Sequence, residues 1–280
     1  MQWFSIRGRQ TYELPTEKVE ICKYGFHASA NCDISETIDY YPDVVNNEYA
    51  LVDINVVSSI DDKVVGDKIT IIKKLETLDE LIIYDKTGEW CYEFAKSTND
   101  MNIIKQLQDT IIKNDQTGEL SYRFAKDIKG ADIEQLQNSV IERDKNGRWC
   151  YRFANYVKGA NINRLQDAIV QKDQTGECCY YFAKHIKNAN IKYLENAVIE
   201  KDPAGMWSCN FAKDVKGANI KKLQEAVIQK DRTGLWCYQF ARFIKGADIG
   251  KLQQEVIEKD KTGEWCTWFA SEIKDADIKN

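Results

Sequence analysis

Several features of membrane, secreted or metal-binding proteins are scarce or missing in this sequence. Its 280 residues include three prolines and two histidines, and no apolar run reaches the length of a membrane span. No two cysteines have the CxxC spacing, so a zinc site is not expected. The first residues, MQWFSIRGRQ, lack the basic and apolar pattern of a signal peptide. We therefore predict a cytoplasmic protein without a membrane span, a metal or another cofactor.

The charge balance and the missing motifs argue against further classes of function. Residues 1–76 carry the whole net charge of −5, whereas residues 77–280 are neutral. Bulk charge thus argues against a nucleic-acid partner, although segregation of the two signs onto different faces would escape this count. The sequence contains no P-loop, no Rossmann glycine-rich turn and no Ser-His-Asp pattern, so no motif indicates an enzyme.

A repeated unit organises most of the chain. A Phe-Ala pair recurs after one step of 30 residues and then five steps of 29, at Phe94, Phe124, Phe153, Phe182, Phe211, Phe240 and Phe269. Such a period is typical of stacked repeats, none of which can bury its apolar face alone. We predict an all-α solenoid of two-helix repeats over residues 77–280, with about six and a half copies.

Each unit carries the pattern of two helices. In residues 144–172, Trp149 and Phe153 fall on one apolar face of a first helix predicted over about 147–157. Gly159 is expected to adopt a left-handed conformation after it, and Asn161 to cap a second helix over 162–171. The cysteines recur on the apolar face at the repeat period. We expect them to be small buried residues in a reducing compartment.

Polar columns recur at the same period, and we interpret them as structural. An aspartate column is expected to cap the first helices: Asp85, Asp115, Asp144, Asp173, Asp202, Asp231 and Asp260. A Gln or Glu column in the second helices is expected to stack side chain on side chain between units: Gln108, Gln137, Gln166, Glu195, Gln224 and Gln253. A lysine recurs after the first helices, in most units before a turn glycine, and is expected to compensate the helix dipole: Lys129, Lys158, Lys187, Lys216, Lys245 and Lys274.

Residues 1–76 indicate a small α+β domain. Strands are predicted over 2–7, 11–14, 20–29, 48–60 and 68–72, and a short helix over 35–41, between a cap at Asp33 or Ser35 and a stop at Pro42. The segment Leu78–Asp85 has the pattern of a second helix of the repeat and is expected to begin the array.

A family resemblance rests on two sets of residues. The motif C-x-x-G-F-H-A at Cys22–Ala28, followed by Tyr40-Tyr41-Pro42 and YALVDINV, resembles an uncharacterised domain at the N-terminus of phage and prophage proteins. The repeats, with their CYYFAK and GANI motifs, resemble arrays in similar phage proteins. The resemblance implies a phage-like origin, and it implies no reaction.

An enzymatic alternative concerns the N-terminal domain. GFHAS, IDYYP and EYALVDINV are similar to the strand–helix–strand passage of ADP-ribosyltransferases, and this implies His27, Tyr40 and Glu48 as a site for NAD or a nucleotide. The other interpretation of His27 is a structural, hydrogen-bonded ring in a small core. A catalytic acid or base needs a partner within hydrogen-bond reach, which the sequence does not locate.

The first helices supply the candidate binding residues. A tyrosine column either packs between units or offers rigid amphipathic anchors to a partner. The next position varies most, as expected where repeat proteins place specificity. The candidate partner-binding residues are Tyr92, Tyr122, Arg123, Tyr151, Arg152, Tyr180, Tyr181 and Tyr238.

The last unit stops where its second helix should begin, and it is rich in aromatic residues. Trp265, Trp268 and Phe269 lie there, and we expect them to contact a second copy of the chain in a homodimer.

The features together favour a non-catalytic protein-binding scaffold. The partner would be a host or phage protein, and phage-like origin makes inhibition of a host defence nuclease, as by an anti-CRISPR protein, one form of this hypothesis. Fold-level analogy carries that last step.

NAD provides a test of the enzymatic alternative. If residues 1–76 do not bind a nucleotide, millimolar NAD should leave the melting temperature of the full chain unchanged, because only a ligand of the folded state raises it. Differential scanning fluorimetry measures this, with ATP and nicotinamide as further ligands. A dose-dependent rise with NAD, lost on His27→Ala, would establish the alternative.

Overall fold

The computed structural model describes residues 10–13, 26–29, 31–38, 44, 47–60, 63–274 and 276. The predicted strand over 2–7, the first part of the strand over 20–29 and Pro42 lie outside these residues. The chain divides into two compact units. The first comprises residues up to 116 together with 123–132, and the second comprises 117–122 and residues from 133 onward.

The first unit contains an antiparallel sheet built on one long strand. Strands β1 and β2 pair end to end along one edge of β4, and β3 pairs along the other edge. The strands are β1 Gln10–Glu13, β2 Phe26–Ser29, β3 Tyr49–Ile60 and β4 Lys63–Leu75. The predicted strand over 68–72 is thus the middle of a longer one, whose length is set by its pairing with β3.

A glycine lets β3 and β4 approach each other at an irregularity in their register. The register shifts between Asn55 and Val56, opposite Gly66. A Cβ atom at Gly66 would lie 2.2 Å from the Asn55 carbonyl oxygen, which no side chain tolerates.

The predicted helix over 35–41 is shorter than expected. A 3₁₀ helix covers Ile34–Thr37, and the Asp33 side chain caps it by accepting from the backbone N–H of Ser35 at 3.0 Å. Asp33 also accepts from the backbone N–H of Lys86 at 3.3 Å. The sheet likewise meets a helix, because the Trp90 indole N–H donates to the Tyr49 hydroxyl at 3.1 Å. The start of the helical array, up to residue 116, therefore belongs to the same compact unit as the sheet.

The helices confirm the two-helix repeat. A short α1, Leu78–Ile82, carries a capping box made by Thr77 and Glu80 and stands where the second-helix pattern first appears. The others are α2 Glu89–Ser97, α3 Met101–Asn114, α4 Glu119–Asp127, α5 Ile133–Arg143, α6 Arg148–Tyr156, α7 Ile162–Lys172, α8 Glu177–His185, α9 Ile191–Lys201, α10 Met206–Asp214, α11 Ile220–Lys230, α12 Leu235–Phe243, α13 Ile249–Lys259 and α14 Glu264–Glu272. The even-numbered helices are the first helices of their repeats. The apolar face predicted from period 3.6 is buried: Phe153, Leu165 and Ile169 have no exposed surface.

The aspartate column caps the first helices, but from outside the helix. The N-cap residue of α8 is Gly176, in the left-handed conformation with φ of 84°, and it has no side chain with which to cap. The buried Asp173 carboxylate accepts from the backbone N–H of Gly176 at 3.0 Å and from that of Cys179 at 2.9 Å. A Cβ at Gly176 would lie 3.2 Å from the Val198 backbone. This turn therefore requires glycine both for its left-handed conformation and for this close approach.

The Gln and Glu column does not stack, and the stacking prediction is wrong. Five of the six side chains, from Gln108 to Gln224, instead accept from the backbone N–H of the residue that caps the second helix of the next repeat. Gln166 Oε1 accepts from Asn190 at 2.7 Å, and Glu195 Oε2 accepts from Asn219 at 2.6 Å. Gln137 and Gln224 make the same bond to Asn161 and Asp248. A carboxylate can replace the amide at this position because the bond uses only an acceptor oxygen.

Removal of the Asp173 carboxylate should destabilise the second unit strongly. Asp173→Ala leaves two buried N–H groups without an acceptor, at a cost of about 2–4 kcal/mol. Asp260→Ala is the matched control, because Asp260 makes the same two bonds at a partly exposed site where water can replace them. Thermal unfolding followed by circular dichroism measures both variants. Equal losses in the two variants would contradict the role of burial.

Replacement of Ser208 by cysteine should increase the free energy of unfolding. Its buried hydroxyl is the one buried side-chain polar atom without a hydrogen-bond partner among the described residues. At the equivalent position of an earlier repeat, the Ser121 hydroxyl forms a hydrogen bond with the Ser139 hydroxyl at 2.8 Å. The position equivalent to Ser139 is Ala226 in the repeat of Ser208, and alanine offers no hydrogen-bond partner. Ser208→Cys, the residue of most other repeats, should stabilise by about 1 kcal/mol because it removes the unsatisfied hydroxyl. Ser121→Cys should destabilise, and a rise in melting temperature for both variants would refute this account.

Candidate binding surface

The tyrosine column lies between neighbouring first helices, and most of its rings are buried. Tyr92, Tyr122, Tyr180 and Tyr238 are 5, 6, 4 and 1% exposed. These four are candidate partner-binding residues, and a ring covered by its own fold offers little surface to a partner. Their burial therefore favours the packing interpretation of the column over the anchor interpretation.

Three of the four buried tyrosine hydroxyls, those of Tyr92, Tyr180 and Tyr238, donate to the last residue of the following first helix. Tyr180 donates to Asp214 at 2.5 Å, and Lys184 donates to both of them, at 2.9 Å to the hydroxyl and 2.7 Å to the carboxylate. Tyr238 makes the equivalent bond to Glu272 at 2.5 Å, with Arg242 as the cation. These three-residue clusters join adjacent repeats across the surface.

Burial keeps these hydroxyls protonated. Desolvation raises the pKa of Tyr180, and the hydrogen bond to Asp214 raises it further. Burial alone would also raise the pKa of Asp214, but the hydrogen bonds from Lys184 and Tyr180 outweigh it and lower that pKa. At neutral pH the cluster is therefore a phenol donor, a carboxylate acceptor and an ammonium group, which is a stable structural arrangement.

Positions 209 and 243 both lack the residue of this tyrosine–acid pair, and the sequence analysis did not relate the two positions. Cys209 replaces the tyrosine, and Phe243 replaces the acid with which that tyrosine would pair. Phe243 is 46% exposed. The signal that could have found this relation is a spacing of 34 residues between each tyrosine and its acceptor.

Tyr151 forms a different cluster, because its hydrogen-bond partner is a histidine. The Tyr151 hydroxyl lies 2.8 Å from His185 Nδ1. Tyr181 stacks on the His185 ring, with centroids 5.9 Å apart and an interplanar angle of 23°, and meets Trp207 edge to face at 6.0 Å. Tyr151, Tyr181 and Trp207 are half-buried and His185 is exposed. We call these four residues the aromatic cluster.

Arginines at the variable position lie beside aromatic rings. The Arg152 guanidinium lies 5.1 Å from the centroid of the Trp149 ring, within cation–π range. In the first unit, Arg123 donates to Glu89 at 2.6 Å and lies 4.3 Å from the centroid of the Tyr92 ring. Both arginines are half-buried and held in place by their neighbours.

The aromatic residues of α14 differ in accessibility. Phe269 is 2% exposed, which argues against a direct role for its ring in a contact between copies. Trp265 stacks on Tyr238 at 6.0 Å and is half-buried, whereas Trp268 is 47% exposed. A contact between copies at this place stays a prediction and depends on Trp268.

The cysteines offer no reactive thiol on the apolar face. Burial raises the pKa of Cys178 and of Cys209 to about 12, and it raises those of Cys91 and Cys150 further. These cysteines are free and protonated at neutral pH, so a thiolate nucleophile is excluded at these positions.

Within the described part of the chain, no cluster of three or more His, Cys, Asp or Glu side chains could hold a metal ion. No helix among the same residues is both long and apolar enough to cross a membrane. The side chain of His27 and the whole of Tyr40 lie outside the described residues.

Comparison with known proteins gives one match. A family model described as a domain of unknown function, DUF7666, matches residues 4–83. No curated protein and no solved structure matches the chain. The family's description assigns no function, so the argument about function depends on the residues of the surface itself.

Proposed function

We propose that this chain is a non-catalytic protein-binding scaffold whose partner lies against the first helices α6, α8 and α10. The aromatic cluster is the observation that carries this proposal. Tyr, Trp and Arg dominate the energetics of protein interfaces, and Arg152 lies in the repeat that contributes Tyr151. The candidates Tyr151, Arg152 and Tyr181 remain in this proposal, and His185 and Trp207 are added to it.

The rigidity of the cluster supports binding. Tyr181 has ring contacts with Tyr151, Tyr180, His185 and Trp207, with centroids 5.0–6.0 Å apart. Side chains that are already ordered lose little conformational entropy when a partner covers them. Half-buried rings also leave apolar surface whose removal from water favours association.

The identity of the partner is a separate step of the proposal. The resemblance to phage proteins favours a host protein, and a defence nuclease inhibited in the manner of an anti-CRISPR protein is one such target. This step rests on resemblance and not on the geometry of the surface.

A pair of substitutions within the repeat pattern tests the binding surface. Arg152→Gln combined with Tyr181→Gln uses the residue that Gln239 supplies at the same place in another repeat, so folding should be preserved. Loss of two interface anchors should weaken binding at least about 30-fold. The measurement is affinity capture from host lysate by the tagged full chain, followed by titration of the purified partner.

The matched control is Ile257→Gln, on α13, where the side chain is 58% exposed. It should bind like the unaltered chain. If the double variant retains full affinity for every captured protein, or if the control loses as much, the partner does not lie on α6, α8 and α10 and the proposal fails.

A further inference from the structure

The charges of four consecutive repeats are segregated onto one edge of the second unit. We define the turn edge as residues 155–164, 184–193, 213–222 and 242–251, which contain the end of each first helix, the turn and the start of each second helix. The turn edge holds twelve Lys or Arg and two Asp or Glu, a formal net charge of +10. The remaining residues of 144–259 hold eight Lys or Arg and eleven Asp or Glu. The neutral total of the array conceals this separation.

Hydrogen bonds between repeats bring the four turns into register. The cap residue of each second helix donates to the second helix of the preceding repeat, as Asn190 does to Gln166 at 2.7 Å and Asp248 to Gln224 at 2.8 Å. On the other side, the Tyr180 hydroxyl reaches Asp214. With about 9 Å between packed helix layers, the four turns form a row about 27 Å long.

The cations of the turn edge face solvent. All twelve are exposed. Lys184 pairs with Asp214 and Arg242 with Glu272, and the other ten form no ion pair with a described residue. Within these four repeats, no second helix has an acidic residue in its first turn, but Asp248 caps α13, so the positive dipole ends of α7, α9 and α11 add to the field. The preceding repeat lacks this excess, because residues 126–135 carry two Lys and three Asp or Glu.

Exposed aromatic rings stand among these cations. Tyr156, Phe243 and Tyr193 are 57, 46 and 38% exposed, and His185 is exposed as well. A positively charged surface with aromatic rings on which bases can stack is the arrangement by which proteins bind single-stranded nucleic acid. We propose that the turn edge binds single-stranded nucleic acid, with lysines on the phosphates and Tyr156 and Phe243 beneath bases.

Regular spacing favours a nucleic acid over an acidic protein. Lys158, Lys187, Lys216 and Lys245 occupy the same place in successive repeats. A row of equivalent cations matches a polymer whose charges also repeat regularly, whereas a folded acidic protein presents carboxylates irregularly. This binding site shares only His185 with the aromatic cluster, and its lysines, its rings Tyr156 and Phe243 and its ligand are different, so the inference does not depend on the proposed function.

Salt-dependent titration tests this inference. The full chain is titrated into fluorescein-labelled oligothymidylate of about 20 nucleotides, and anisotropy is read between about 50 and 200 mM salt. The turn variant carries Lys187→Gln, Lys216→Gln and Lys245→Gln. Loss of three phosphate contacts should reduce the slope of log K against log salt by about 2, since each contact on a single strand contributes about 0.7.

The matched control carries Lys145→Gln, Arg232→Gln and Lys261→Gln, three exposed cations in the loops before first helices, at the opposite end of each hairpin. It should bind with unchanged affinity and slope. Tyr156→Ala should weaken binding at least about five-fold through lost stacking. The turn variant should still capture the protein partner, which separates this inference from the proposed function.

Three outcomes would overturn the inference. One is an absence of oligonucleotide binding at low salt, and another is an equal loss of affinity in the turn variant and the control. In the third, polyglutamate of matched charge binds as tightly as the oligonucleotide and Tyr156→Ala has no effect. That last result would assign the turn edge to an acidic protein.

Discussion

A repeat of this protein cannot satisfy its own backbone. From α5 to α13, the N–H of the residue that caps each second helix finds its acceptor on the preceding repeat, as Asn190 does on Gln166. A buried N–H without an acceptor costs about 1–3 kcal/mol, so these bonds help to fix the register of successive repeats. The first helix begins at a glycine that cannot cap, and a buried aspartate of the same repeat supplies both acceptors there.

Register in turn decides what each face can do. Because equivalent residues of successive repeats align, a residue type that recurs becomes a row, and a departure from the row becomes a local site. The tyrosine column is a row of structural clusters where the last residue of the next helix is Asp214 or Glu272. Where that residue is His185, the same geometry gives the half-buried aromatic cluster instead. The functional candidates are thus exceptions within a structural pattern.

The sequence predicted the repeats well and their polar contacts poorly. Period and apolar faces located α6 and α7 to within a residue or so, because burial of such faces depends on local spacing alone. The role of Gln166 was mistaken, since its acceptor function depends on a residue 24 positions away. The burial of Tyr180 and Tyr238 also depends on the neighbouring repeat. In a stacked array, side chains at the boundary between repeats need the neighbour's geometry before their role can be assigned.

Net charge is a second property of this sequence that cannot be interpreted without the positions of neighbouring repeats. A neutral total over residues 77–280 argues against a polyanion partner only if the charges are evenly distributed. Once each turn is placed at one edge, lysines 29 residues apart become neighbours and their fields add, while the acidic residues lie mainly elsewhere on the hairpins. Within a Debye length of about 8 Å, a partner responds to that local edge and not to the sum. For a repeat protein, net charge is therefore informative only after it is counted by position within the repeat.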